Sequence, residues 1–349
     1  MKIAKMKILF VHYLENIGGG ERYLVNVVNS LPRKYEVYLL TPNSNSKIES
    51  IINRPIVKIS RKFKRNLGPF PSFSITLFFS IRDIVQSNNI DVIHINDHYL
   101  LPSVFFQKKK VVFTSHGLWD VYFYINRLVL KYLNPSVIAA TPIQYFRLKE
   151  CIQDLHLMPF FNVDKIKSVN HELCCDNINL SIVGRFSPVK NHFYAFDIID
   201  SLGKHFYLNV YGAKTLDIAE EKDSYEVEII NHINNNSNII HHGFISDMEA
   251  IYKNTDILII TSETESFSMV TIEALSYGVP VVSTLTEGSS SLIKDGYNGF
   301  ICNNKNEFIE KIELIKERYS YYSENAYESS QKYIQELYIE KLLNIYEDR

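Results

Sequence analysis

Twice along this chain of 349 residues, six short runs of aliphatic and β-branched residues alternate with stretches patterned for helices. The first series predicts strands over residues 7–13, 36–40, 57–59, 92–96, 110–115 and 137–140. The second predicts strands over 179–184, 207–211, 239–242, 257–261, 281–283 and 299–302. Runs this short and this continuously apolar suit parallel sheets covered on both faces, because a strand with one wet face would alternate polar and apolar side chains. Two such series imply two doubly wound α/β domains. The break falls over 162–177, where the Pro159 turn is followed by polar, irregular sequence. We therefore expect a first domain over 1–165 and a second over 166–332. The Tyr- and Glu-rich tail, 319–349, reads as helices, and its last segment, from about residue 333, is amphipathic and must pack on something.

A chain that is 46% hydrophobic and 22% charged is large enough for two cores and has the balance of a soluble protein. It has no apolar run long enough to predict a membrane-spanning helix. The first eleven residues are too short and too charged for a signal peptide and read as a first strand. The cysteines, Cys151, Cys174, Cys175 and Cys302, show neither metal-ligand spacing nor a disulfide framework, so reduced cytoplasmic thiols are expected. The net charge of −2 conceals an uneven distribution: residues 1–165 hold 22 Lys+Arg against 11 Asp+Glu, and the remainder 15 against 28. A basic half on a near-neutral protein suggests an anionic partner surface. Its cations cluster at 61–65 and at Lys108, Lys109 and Lys110, with aromatic residues nearby in 69–73 and 118–133. That mixture suits an anionic membrane better than a nucleic acid, for which no recognition motif is present.

Several local patterns could carry chemistry. The strand at 257–261 feeds a polar loop and then an apolar helical pattern from Met269 that stops at Gly278-Val279-Pro280. A strand that enters a helix through a tight loop points free N–H groups at an anion. Glu265 and Glu273 bracket this turn. Carboxylates would not hold phosphate but would hold the hydroxyls of a sugar or ribose, and the combination suggests a nucleotide-sugar site. The stretch from Val183 to Asn191 puts Arg185 and Lys190 at the carboxyl edge of the second sheet, where two cations can grip a diphosphate. Gly18-Gly19-Gly20-Glu21 follows the first strand and opens a helix, without the G-x-G-x-x-G spacing of dinucleotide enzymes. His116 ends a first-half strand and is expected to face a cleft between the domains. His94 and His98 flank Asp97 but do not make a convincing metal set, and no Asp-x-Asp pair is present, so no metal is expected.

These blocks, in this order, resemble the retaining glycosyltransferases of family 4, which have the GT-B fold: two Rossmann-like domains facing a central cleft. The likeness runs through GGGER, DVIHIND, FTSHGLW, VGRFSPVKN, the long block from HHGFISDMEAIY to VPVVST, and EGSSSLIKDGYNGFIC. It implies that Arg185 and Lys190 bind the donor diphosphate, Glu265 the transferred sugar and Glu273 the ribose. Backbone N–H groups of Phe267, Ser268, Met269 and Val270 would meet sugar and phosphates. Gly19 and Gly20 would lie under the distal phosphate, His116 close to the sugar and acceptor, and Phe244 and Ile245 against the base. The last helix would cross back onto the first domain. The chain departs from the family where Glu-Gly-Phe-Gly becomes Glu265-Ser266-Phe267-Ser268, which is expected to narrow the permitted backbone geometry. The interdomain block appears as Phe161-Asn162-Val163-Asp164.

The activity implied is metal-independent transfer from a nucleoside-diphosphate sugar, UDP- or GDP-linked, to a glycan or lipid-linked acceptor in lipopolysaccharide or capsule assembly. No cofactor beyond the donor is implied. The expected location is the cytoplasmic face of the cell membrane. A non-catalytic nucleotide-sugar-binding relative, or a sugar-nucleotide epimerase, would carry the same donor motifs.

Overall fold

The computed structural model describes residues 5–13, 19–41, 51–61, 75–117, 124–160, 173, 177–213, 223–245 and 247–348. Gly18, the basic residues 62–65, the aromatic stretches 69–73 and 118–123, the 161–164 block, Cys174 and Cys175 lie outside them. The chain divides into two compact units, Met1–Phe160 with Gln335–Arg349, and Phe161–Ile334.

The first unit is built on strands β1 (Lys7–Val11), β2 (Glu36–Thr41), β3 (Val57–Ser60), β4 (Val92–Ile95), β5 (Lys110–Ser115), β6 (Ser136–Ala139) and β7 (Leu155–Leu157). All pair in parallel, in the order β3-β2-β1-β4-β5-β6-β7. Helix α1 (Gly19–Ser30) follows β1, α2 (Ile75–Asn88) follows β3, α3 (Tyr124–Leu133) follows β5 and α4 (Pro142–Leu148) follows β6. A 3-10 segment, His98–Val104, joins β4 to β5. Parallel crossovers are right-handed. The connections from β3 to β4 and onward to β7 run opposite to that from β1 to β2, so α2, the 3-10 segment, α3 and α4 share one face of the sheet. They do so through one core: Leu77, Ile81, Leu100, Val104, Leu130 and Leu148 all pack with the interior strands.

The second unit has β8 (Ile178–Val183), β9 (Phe206–Tyr211), β10 (Ile239–Gly243), β11 (Ile257–Ile260), β12 (Val281–Thr284) and β13 (Gly299–Cys302), again all parallel, in the order β10-β9-β8-β11-β12-β13. Its helices are α5 (His192–Ser201), α6 (Asp223–Asn234), α7 (Met248–Tyr252), α8 (Met269–Ser276), α9 (Glu287–Leu292), α10 (Lys305–Glu317) and α11 (Tyr319–Ser330). Strand order reverses between β1 and β4 in one unit and between β8 and β11 in the other. Connections leave in opposite directions at those points and open a crevice at the carboxyl ends of the strands.

The predicted strands are present with end shifts of one or two residues. β1 stops at Val11 rather than Tyr13, and buried His12 follows it. β7 has no counterpart in the sequence reading: it is three residues long, with His156 at its centre and no fully buried position. The last helix, α12 (Gln335–Glu347), belongs to the first unit and buries Tyr338, Ile339, Leu342, Ile345 and Tyr346, one helical stripe.

Candidate active site

The second unit gathers its charged residues at the fork between β8 and β11. β8 ends at Val183, and the chain turns through Arg185 and a 3-10 turn at Pro188–Lys190. Asn191 then takes a left-handed conformation, φ 48°, before α5 begins. That turn brings Lys190 back over the strand end, where a Cβ on Gly184 would lie 3.5 Å from its Cε. The Lys190 ammonium forms an ion pair with the Glu265 carboxylate, and both side chains are about one-fifth exposed, 24% and 18%. Thr261 fixes the lysine backbone: its hydroxyl lies 3.0 Å from the Lys190 carbonyl and 2.9 Å from that of Asn191. The Glu263 amide donates to the Val189 carbonyl at 2.9 Å. A small pocket opens here between Ile182, Val183, Lys190, Ile260, Thr261 and Val270. Arg185 is exposed and makes no ion pair among the described residues.

The loop from Glu265 enters α8 at Met269. Phe267 and Ser268 are buried, Met269 and Val270 half-buried. Ser268 has φ −89° and ψ 95°, and no residue of this loop has positive φ. At Ser266 and Ser268 the backbone stays where any L-residue is comfortable, within the narrower range expected of a loop without these glycines. The close approach is made from the other side. Gly288 in α9 donates its N–H to the Glu265 carbonyl at 2.7 Å, and a Cβ there would sit 2.9 Å from the Ser268 nitrogen. Glu273, 4% exposed, accepts from the Tyr252 hydroxyl at 3.2 Å, and that hydroxyl is also 3.1 Å from the Val270 carbonyl. At the far side of the unit Gly243 leads out of β10. Phe244 is 68% exposed, while Ile245 leans on the core of Tyr211 and Leu258. Gly212 crosses over Gly184 so tightly that a Cβ would lie 1.8 Å from the Gly184 oxygen. This crossing keeps β8 and β9 in contact below the fork.

In the first unit, Gly19 and Gly20 open α1, and a Cβ on Gly20 would meet the His116 ring at 3.7 Å, an ordinary contact. The two motifs therefore meet at the carboxyl edge of this sheet. His116 leans edge-on against Tyr23, 5.4 Å between rings, and Phe160 lies 5.3 Å away. Beneath them runs a buried polar chain. The Tyr346 hydroxyl lies 2.5 Å from His94 Nδ1, His94 Nε2 2.8 Å from the Thr114 hydroxyl, and Thr114 3.1 Å from the Tyr23 hydroxyl, which is 2.6 Å from that of Tyr338. Burial, with His116 nearby, pushes the His94 pKa down to about 3, so the ring is neutral and gives one donor and one acceptor. His94 is thus occupied by hydroxyls. Among the described residues no group of three or more His, Cys, Asp or Glu is arranged to hold a metal ion. Sequence reasoning gave no role to Glu21, which is 4% exposed with its carboxylate 3.4 Å from His12 Nε2, nor to Gly288. Glu21 could have been found by its place beside the glycine-rich turn; Gly288, a lone glycine ahead of three serines, carried no such signal.

Residues 175–333 match the family Glycosyl transferases group 1, and residues 17–149 match Glycosyltransferase Family 4. A 41.2 kDa protein of the cps region of Klebsiella pneumoniae is 25% identical over 84% of this chain and 85% of its own. A Campylobacter jejuni enzyme, the alpha-1,4-N-acetyl-D-galactosaminyltransferase acting on GalNAc-alpha-(1->4)-GalNAc-alpha-(1->3)-diNAcBac-PP-undecaprenol, is 22% identical over 89% of each chain. Among solved structures, Anabaena Alr3699/HepE in complex with UDP and glucose superposes with a TM-score of 0.78 at 17% identity, covering 99% of this chain and 100% of that one. With two parallel, doubly wound sheets and both halves matched, the chain belongs to the group 1 glycosyltransferases of GT-B fold.

Proposed function

We propose that the protein transfers a sugar, with retention of anomeric configuration and without a metal, from a UDP- or GDP-sugar to a glycan or lipid-linked acceptor in surface polysaccharide assembly. The supporting observation is the Lys190–Glu265 pair at the fork of β8 and β11, beside the start of α8. The Campylobacter relative's undecaprenol-linked acceptor and the UDP complex of the Anabaena protein support the acceptor and donor classes. In this reading the second unit, 166–332, is the donor domain, and 1–165 with the last helix takes the acceptor.

The barrier to transfer is largely the charge that develops on the outer phosphate as the nucleoside diphosphate leaves. Lys190 exchanges its carboxylate partner for that phosphate, Arg185 approaches from solvent, and the amides of Phe267, Ser268, Met269 and Val270 add the positive end of α8. Because these charges are in place before reaction, little reorganisation is needed. The exchange frees Glu265 to accept from hydroxyls of the transferred sugar. Glu273, held by Tyr252, accepts from the ribose, and Phe244 with Ile245 flanks the base. Gly19 and Gly20 let the outer phosphate approach the backbone of α1, and His116 beside them orients the sugar and the acceptor hydroxyl. The acceptor attacks from the face the diphosphate leaves, and the departing phosphate takes its proton.

The deciding experiment is thermal shift against UDP-, GDP-, ADP- and CMP-sugars without metal. Stabilisation by one donor that disappears in Glu273→Ala supports the donor site. A donor epimerised without acceptor, or a bound donor never turned over with any glycan acceptor, overturns the transferase reading.

A further inference from the structure

The carboxyl edge of the first sheet carries Gly20 and His116. Its opposite edge carries a different pattern. Strands β5, β6 and β7 are neighbours and run parallel, so the loops that enter them emerge side by side, spread over roughly 10 Å at ordinary strand spacing. Ahead of each strand stands one exposed aromatic ring with exposed cations. The loop into β5 has Phe106, 87% exposed, with Lys108 and Lys109; the last turn of α3, ahead of β6, has Tyr132, 77% exposed, with Lys131; the end of α4, ahead of β7, has Phe146, 59% exposed, with Arg147 and, just past the helix, Lys149. Lys149 stands 4.7 Å over the Phe146 ring. Against these five cations are Glu150, Asp154 and, at the end of α12, Asp348, whose carbonyl accepts from Lys110 at 2.6 Å; Asp154 is engaged by the Ser136 hydroxyl and by His156 at 2.7 Å. Phe106 has φ 63°, a conformation a bulky side chain adopts only at a cost, and that backbone holds its ring out in water.

From this loop tip and the two helix ends beside it we infer that the amino edge of the first sheet docks on an anionic lipid bilayer, with Phe106, Tyr132 and Phe146 seated among the headgroups and Lys108, Lys109, Lys131, Arg147 and Lys149 against lipid phosphates. Cations within a Debye length are drawn to the surface potential of an anionic leaflet. Aromatic rings partition to its interface, and lysine and arginine stems lie along it with their charged heads outward. A single-stranded nucleic acid, which also takes cations and rings, lies in a groove whose aromatic floor is part-covered. A ring 87% exposed is at a tip, and tips meet a flat surface. The docking face uses none of the residues assigned to transfer, so it stands or falls apart from that reading.

The test is flotation of the full chain with vesicles of phosphatidylcholine alone and of phosphatidylcholine with phosphatidylglycerol. Binding is expected only to the second. Lys108→Glu with Lys109→Glu should weaken it on the order of 100-fold, through loss and reversal of two surface contacts. Phe106→Ser should weaken it about tenfold, through one ring no longer buried. Lys131→Glu with Lys149→Glu, at the ends of α3 and α4, should match the first pair, and Lys204→Glu with Lys253→Glu in the second unit should bind as wild type. All are exposed positions, and unchanged thermal unfolding verifies that each variant is folded. No binding to phosphatidylglycerol vesicles overturns the inference. So does equal loss in the second-unit control, or retention in all first-unit variants. Binding of single-stranded RNA that depends on Phe106, without vesicle binding, would make this face a nucleic-acid surface and refute it.

Discussion

The two units share a winding and place their motifs at the same edge, yet they hold those motifs by different physics. In the second unit the fork is set by charge and by backbone contact: Lys190 against Glu265, Gly288 against Ser268, Gly212 against Gly184. In the first, His116 rests on a neutral, buried chain of hydroxyl and imidazole groups that ends on the last helix. A part-exposed ion pair can be exchanged for a ligand's charge at small cost, because water still screens it. A buried neutral network is rigid because breaking any link strands a desolvated polar group. The second unit is thus built to swap partners and the first to hold still.

The largest effect should come from the charge that changes partner. Lys190→Ala is expected to lower kcat/KM by about 100- to 1000-fold while unfolding stability stays within ~1 kcal/mol. Arg185→Ala, with no partner to release, should act in the same direction and less strongly. Steady-state kinetics beside thermal unfolding separate the two quantities. A large stability loss with unchanged turnover would erase the contrast between the units.

Next is the backbone contact. Gly288→Ala puts a carbon 2.9 Å from the Ser268 nitrogen and 3.2 Å from the Glu265 carbonyl oxygen, both backbone atoms that cannot swing aside as the nearby Glu265 side chain can. The loop and α9 must part, at about 1–3 kcal/mol. Donor affinity should fall with stability, because the displaced amide belongs to the segment assigned to phosphate. Calorimetric titration with the donor found by thermal shift measures both. Full affinity in a folded Gly288→Ala protein would remove the Ser268 amide from the site.

The extent to which this arrangement could be read from the sequence follows from chain distance. Strands stood out because a parallel strand buried on both faces is a continuous apolar run, as in 257–260. β7 escaped because three residues centred on a histidine carry no such signal. Motif residues could be assigned to strand ends because strand, loop and helix are contiguous there. The pairing of Lys190 with Glu265, 75 residues apart, could not be read, and still less the contact of His94 with Tyr346 across 252 residues. Whether the loop at Ser266 and Ser268 needs positive φ could not be read either, because composition reports which residue can adopt it, not whether the loop asks for it.

Two buried histidines sharpen the comparison further. His94 in the first unit is bonded through both ring nitrogens, whereas neither ring nitrogen of His192 in the second has a hydrogen-bond partner among the described residues. Burial depresses both, His94 to about 3 and His192 to about 4, the latter aided by Lys190 and His241. The unfolded chain protonates near 6.5 and the folded one far lower. Stability is therefore complete above about pH 6.5 and is lost as pH falls through the window down to these values. At pH 7, His94→Phe should cost about 2–3 kcal/mol by stranding the Tyr346 hydroxyl and leaving Thr114 with Tyr23 alone, and His192→Phe less than about 1 kcal/mol. At pH 5 the His192→Phe protein should be the more stable of itself and wild type, since it has no imidazole to protonate. Urea unfolding at the two pH values checks the sign. Parallel pH curves for wild type and His192→Phe would show that this ring does not stay neutral.

The smallest effect should come from the end of the neutral chain. Tyr338→Phe removes one hydroxyl from α12 and keeps the ring that packs edge-on to Tyr23 at 5.9 Å. Tyr23 retains Thr114 at 3.1 Å, so no group there is left without a partner, and the cost should be about 1 kcal/mol. Tyr23 lies against His116, so the loosened ring should let the His116 side chain sample more positions. Turnover should fall a fewfold at unchanged donor affinity, because every group assigned to the donor phosphates in the second unit is untouched. Tyr346→Phe, at the other end, leaves a His94 nitrogen buried without its hydroxyl and should cost more than Tyr338→Phe. Equal costs for the two tyrosines would mean that α12 is held by its apolar stripe alone, and the neutral chain would then be a passenger in the first unit rather than the element that keeps His116 still.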